Sequence, residues 1–88
     1  MKVLEIRNIV RKDVPIYYRM FFSGCACLQL AANNSIERQI DFSIEIKPTG
    51  LKEILVALAE PVDYPLVPLI KALKMAIEEL DKNGQLPF

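Results

Sequence analysis

The sequence has no histidine and no tryptophan, only three glycines, and cysteine only as the pair Cys25 and Cys27. Without histidine there is no His-based triad and no proton shuttle that works near neutral pH. Gly24, Gly50 and Gly84 are too dispersed to form a phosphate-cradling loop. Hydroxyl residues are sparse (Ser23, Ser35, Ser43 and Thr49), and none sits in a nucleophile-elbow pattern. Two cysteines cannot build a disulfide framework, and one chain lacks the four ligands of a structural zinc site. No catalytic, cofactor-binding or metal-ligating set is therefore expected, and the chain reads as a non-enzyme.

Net charge is also lacking. Eleven Lys and Arg balance eleven Asp and Glu. A nucleic-acid binder needs surplus cations to displace counterions, so neutrality speaks against that class. The opening "MKVLEIRNIV" places Glu5 and Arg7 where a secretion signal needs an apolar run. The most apolar stretch, around 66–77, is interrupted by Pro68, Lys71 and Lys74, so no membrane span is expected. A cytoplasmic location follows as the default.

What remains is one small domain. Its 88 residues suffice for a single core, and its 52% hydrophobic content is somewhat more than that core can hide. Residues 2–59 alternate with period two, whereas 65–83 follow the helical period. In "SIERQIDFSIEIK", Ile36, Ile40, Phe42, Ile44 and Ile46 share one face, and Arg38 breaks the row near the edge of the core. "KPTG" then predicts a three-residue hairpin loop with Gly50 left-handed, which sets Ile44 opposite Ile54, Phe42 opposite Val56 and Ile40 opposite Leu58. Upstream, a loop at 33–35 places Leu28 opposite Ile40, Ala26 opposite Phe42 and Gly24 opposite Ile44. Residues 15–32 read as one strand, bent or bulged at Gly24, with Ile16, Tyr18, Met20, Phe22, Ala26, Leu28 and Leu30 facing inward. In the first strand Leu4, Ile6 and Val10 form the apolar row.

A helix follows, starting between Pro65 and Pro68 with Asp63 as a candidate cap. Leu66, Leu69, Ile70, Leu73, Ile77 and Leu80 form its stripe, Lys71, Lys74, Glu78 and Asp81 face away, and Gly84 stops it. Phe88 is expected to fold back onto apolar surface. The predicted fold is α+β: a two-layer, four-stranded antiparallel meander (ββββ) and one C-terminal helix, spanning 1–88 as a single domain.

One helix covers one sheet face. The other would show Tyr17, Phe21, Cys25, Cys27, Leu55 and Ala57 among polar neighbours, a mixture that predicts a subunit interface. The expected partner is a second copy, giving a homodimer, or else another protein. In that register Cys25 and Cys27 face outward, opposite Ser43 and Asp41, and read as half-buried, reduced sheet residues. Asp41 and Glu45 lie about 13 Å apart along an extended strand, too far to share a proton.

In element order, the meander with its helix resembles single-stranded-DNA-binding transcriptional coactivators and the plant Whirly proteins. That resemblance implies a nucleic-acid contact through Arg7, Arg11, Lys12 and Arg19, beside the rings of Tyr17 and Phe21. A third reading places a small-ligand or enzymatic site between subunits.

Overall fold

A computed structural model describes residues 1–16 and 18–87. Strands β1 (Lys2–Lys12), β2 (Arg19–Ala31), β3 (Asn34–Ile46) and β4 (Lys52–Leu58) lie side by side in chain order in one antiparallel sheet. Helix α1 (Leu66–Lys82) follows and packs on one face. The predicted α+β meander and helix is the observed fold.

The β3–β4 hairpin has the expected register. Ile44 faces Ile54, Phe42 faces Val56 and Ile40 faces Leu58. The loop closes through the Lys47 amide donating to the Leu51 carbonyl and the Gly50 amide donating to the Lys47 carbonyl, each at 2.8 Å. Gly50 adopts φ +88°, a conformation that side-chain-bearing residues rarely take.

The β2–β3 register differs from the expected one by four residues. Leu28 faces Ile36, Ala26 faces Arg38 and Gly24 faces Ile40. The connection is a two-residue turn at Ala32 and Asn33, with an irregularity between Gln29 and Ala31. A shift by an even number keeps every side chain on its face, so apolar patterning alone cannot choose between the two pairings. The true register sets Phe22 opposite Phe42, and the rings stack with centroids 5.0 Å apart and planes 17° apart. β2 is also shorter than expected. Ile16 and Tyr18 precede it, and Tyr18 is exposed.

β1 departs most. Its pairing with β2 shifts twice, between Val3 and Glu5 and between Arg7 and Val10. At the second shift Asn8 and Ile9 together oppose Gly24, and Asn8 adopts φ +54°. This is a bulge, with asparagine as the residue that tolerates the left-handed conformation. Each bulge reverses parity. Val3, Ile6 and Ile9 therefore pack on the core, while Leu4 and Val10, expected inside, are exposed. The bulge expected in β2 at Gly24 belongs instead to β1. Gly24 is the flat spot beneath it: an added Cβ would lie 3.3 Å from both the Ile6 and Ile9 side chains and 3.4 Å from the Arg7 carbonyl.

The core joins Phe22, Ala26, Leu28, Ile40, Phe42 and Ile44 of the sheet to Leu69, Leu73 and Ile77 of α1. Cα atoms of α1 come within 8 Å of β1 and β4 but not of β2 or β3, so the sheet curls and its two edges close on the helix. Pro65 caps α1 without any side-chain hydrogen bond, and Asp63 does not cap it. Leu66, expected in the stripe, is exposed at the first residue of the helix, and the buried stripe begins at Leu69. Asp81, expected to face away, reaches back to Lys52 of β4 at 2.7 Å.

The helix ends with the Gly84 amide bonding the Asp81 carbonyl, the Gln85 amide bonding the Leu80 carbonyl, and Gly84 left-handed at φ +67°. That turn sends Leu86 back into the core, where it is 5% exposed. Phe88, expected in this role, lies outside the described residues.

Gly24→Val should destabilise the domain by about 1–3 kcal/mol, the usual penalty of overpacking, because β1 leaves no room for a branched side chain. Chemical denaturation measures it. Wild-type stability in the variant would contradict the close approach of β1.

Candidate functional site

The face of the sheet away from α1 can be read row by row from the pairing. Glu5, Cys27 and Glu37 form the first row, and Arg7, Cys25 and Gln39 the second. Val10, Ser23, Asp41 and Ala57 form the third; Lys12, Phe21, Ser43 and Leu55 form the fourth. Arg19, Glu45 and Glu53 close the series.

Five of the six residues expected to form an interface lie on this face, and Tyr17 lies outside the described residues. The structure separates the five into two groups. Phe21, Leu55 and Ala57 cluster in the third and fourth rows around the small residues Ser23 and Ser43. Val10 joins them at 59% exposure, although strict alternation predicts it inside. Asn8, a residue tolerant of positive φ inside a strand, is the available sign of the bulge that turns Val10 outward. A shallow groove of about 180 Å³ runs here, lined by Lys12, Phe21, Asp41, Ser43, Leu55 and Ala57 among others.

Cys25 and Cys27 belong to the other group. They stand opposite Gln39 and Glu37, not Ser43 and Asp41, as the corrected register requires. Both are free thiols. Cys27 is only 9% exposed although it lies on the uncovered face. Long side chains shield it. Its Sγ lies 3.9 Å from Glu5 Oε1, and Arg7 beside it pairs with both Glu5 and Glu37. Burial pushes the Cys27 thiol up, Arg7 opposes the rise, and Glu37, Cys25 and Glu5 add to it. Among the described residues no group of three or more Cys, Asp or Glu is placed to hold a metal ion.

The cations of the first hairpin are mostly spoken for. Arg7 pairs with Glu37, Lys12 reaches across β2 to Asp41 at 2.9 Å, and Arg19 pairs with Glu45 at 2.7 Å. Arg11 is set apart from these three: it stands opposite Phe22, on the helix side of the sheet. A larger crevice, about 670 Å³, lies between the start of β4 and α1. Most of its charges also pair off, as Lys47 with Glu53, Lys52 with Asp81 and Lys82 with Glu78, while Lys74 makes no ion pair among the described residues.

The burial of Cys27 has two measurable consequences. In the native protein at neutral pH, iodoacetamide should modify Cys25 well before Cys27, as read by mass spectrometry; equal rates would contradict the shielding. The raised pKa also fixes the sign of an alkaline effect. The unfolded chain ionises first, so this contribution is intact below the ordinary thiol range and is lost as pH rises through it. Between neutral pH and about pH 10, wild type should therefore lose more stability than Cys27→Ala, with parallel curves as the contrary result.

No described helix is long and apolar enough to cross a membrane. Comparison with curated proteins and with solved structures finds no match. The family model of the BB-0187 family matches residues 1–82, from the start of β1 to the last residue of α1, and the chain belongs to that family.

Proposed function

We propose that this chain is a small interaction module that associates with a second copy of itself through the sheet face opposite α1. The observation that carries the reading is the cluster of Val10, Phe21, Leu55 and Ala57 on a face with no covering layer. Exposed apolar residues rimmed by polar groups are the usual composition of a contact surface. The three cations of the rim are paired within one chain, with Arg7 shared by Glu5 and Glu37, so a second copy would meet a modest excess of carboxylate at the rim and no unpaired cation. Overall neutrality removes long-range repulsion between copies. The same pairing weighs against phosphate binding, since Arg7, Lys12 and Arg19 would have to give up carboxylates to engage it.

The helix offers a weaker alternative surface. Its exposed apolar residues are Leu66 and Val67 in the first turn and Met75, which Lys71 separates from Val67 on their row.

Light scattering across micromolar concentrations tests the reading. Wild type should show a dimer mass, and Phe21→Glu should shift dissociation at least about tenfold toward monomer, since a buried unpaired charge costs more than about 1.4 kcal/mol. A monomer throughout the range, or a Phe21→Glu protein of unchanged mass, would count against the sheet face.

A further inference from the structure

The two edges of the sheet are built differently. β1 is broken by two bulges, carries Asn8 in a left-handed conformation, and bears Lys2, Glu5, Arg7, Arg11 and Lys12. Bulges and charges are how natural sheets keep an edge from recruiting another strand. β4 has neither device along most of its length. Its register with β3 runs unbroken from Lys52 to Leu58, it contains no proline or glycine, and residues 54–58 read Ile-Leu-Val-Ala-Leu.

The direction of its main-chain groups follows from the ladder. The Lys47 amide bonds Leu51 and the Ala59 amide bonds Gln39, so odd-numbered residues of this stretch point their backbone groups at β3. The amides and carbonyls of Ile54, Val56 and Leu58 therefore point out of the sheet. Among the described residues no backbone hydrogen bond outside the ladder reaches them. α1 approaches β4, but the 670 Å³ crevice separates the two at Lys52, Glu53 and Ile54.

We infer that β4 pairs antiparallel with β4 of a second copy, about a two-fold axis at Val56, to make one continuous eight-stranded sheet. This register is self-complementary. Val56 meets Val56, Ile54 meets Leu58 and Leu55 meets Ala57, so apolar residues oppose apolar residues on both faces. At each end Lys52, already paired with Asp81 of its own chain, stands opposite Glu60, which has no ion pair among the described residues. The outward groups of Ile54, Val56 and Leu58 all fall at hydrogen-bonded positions. The inference shares with the sheet-face reading only the premise that the chain associates with itself. It names a different surface.

Amide exchange followed by NMR at two concentrations separates the two. In the dimeric sample the Ile54, Val56 and Leu58 amides should be protected, by on the order of tenfold or more over the dilute sample, as new strand pairing requires. Packing on the sheet face cannot do this selectively, because these amides lie in the edge. Phe21→Glu should leave this protection in place even if it weakens the face contact. Free exchange of these amides in a sample shown to be dimeric would overturn the inference. So would protection that does not change on dilution, protection lost in Phe21→Glu, or a monomer at every concentration.

Discussion

A four-stranded sheet has two faces, and this chain supplies one helix. The apolar stripe of α1, Leu69, Leu73 and Ile77, is matched by Phe22, Phe42 and Ile44, and that contact makes the core. Burying such side chains contributes roughly 1.5–3 kcal/mol each, so the covered face sets the stability of a domain this small. To close on a single helix the sheet must curl until β1 and β4 approach it. Curvature of that kind is what bulges provide, and both irregularities of the β1 pairing serve it. Gly24 lets the bulged segment settle directly on β2.

How much of this is legible in the sequence follows from which signals are local. The β3–β4 hairpin is readable because Pro48 and Gly50 define one turn and the turn defines one register. The β2–β3 pairing is not, because Ala31 to Ser35 offers several turns whose registers differ by even steps and leave the faces unchanged. β1 misleads for the opposite reason. Its bulges change parity, so strict alternation assigns Leu4 and Val10 inward and overlooks Val3 and Ile9. At the C-terminus, Gly84 correctly marks the stop, but the residue that returns to the core is Leu86.

The candidate site is legible as a face and not as a pattern on that face. Parity alone puts Phe21, Cys25, Cys27, Leu55 and Ala57 on the uncovered side. Their grouping depends on long-range register and on the reach of long side chains, neither of which a local pattern carries. Cys27 shows the difference. From the sequence it is an outward thiol awaiting a partner subunit. In the fold it is shielded within its own chain by Glu5, Arg7 and Glu37. The thiol pair therefore supplies no argument for a metal or for a dimer, and the apolar rows nearer β4 carry that argument instead.

Those rows link the two surfaces proposed for self-association. A two-fold axis through paired β4 strands stands perpendicular to the sheet, so it keeps both helices on one side and both open faces on the other. Leu55 and Ala57, at the rim of the open face in one chain, would then lie at its centre. Edge pairing and face packing do not exclude each other geometrically: either contact alone joins two chains as a dimer, and both together require four, with stacked faces uniting two edge-paired dimers. Their dependence on sequence differs. Face packing relies on the side chains of Phe21, Leu55 and Val10. Edge pairing relies on main-chain groups that any residue but proline supplies, so it needs only that β4 stay regular, uncharged along residues 54–58 and open at its edge. The contrast with β1, irregular and charged along its length, indicates which edge the chain protects and which it leaves free.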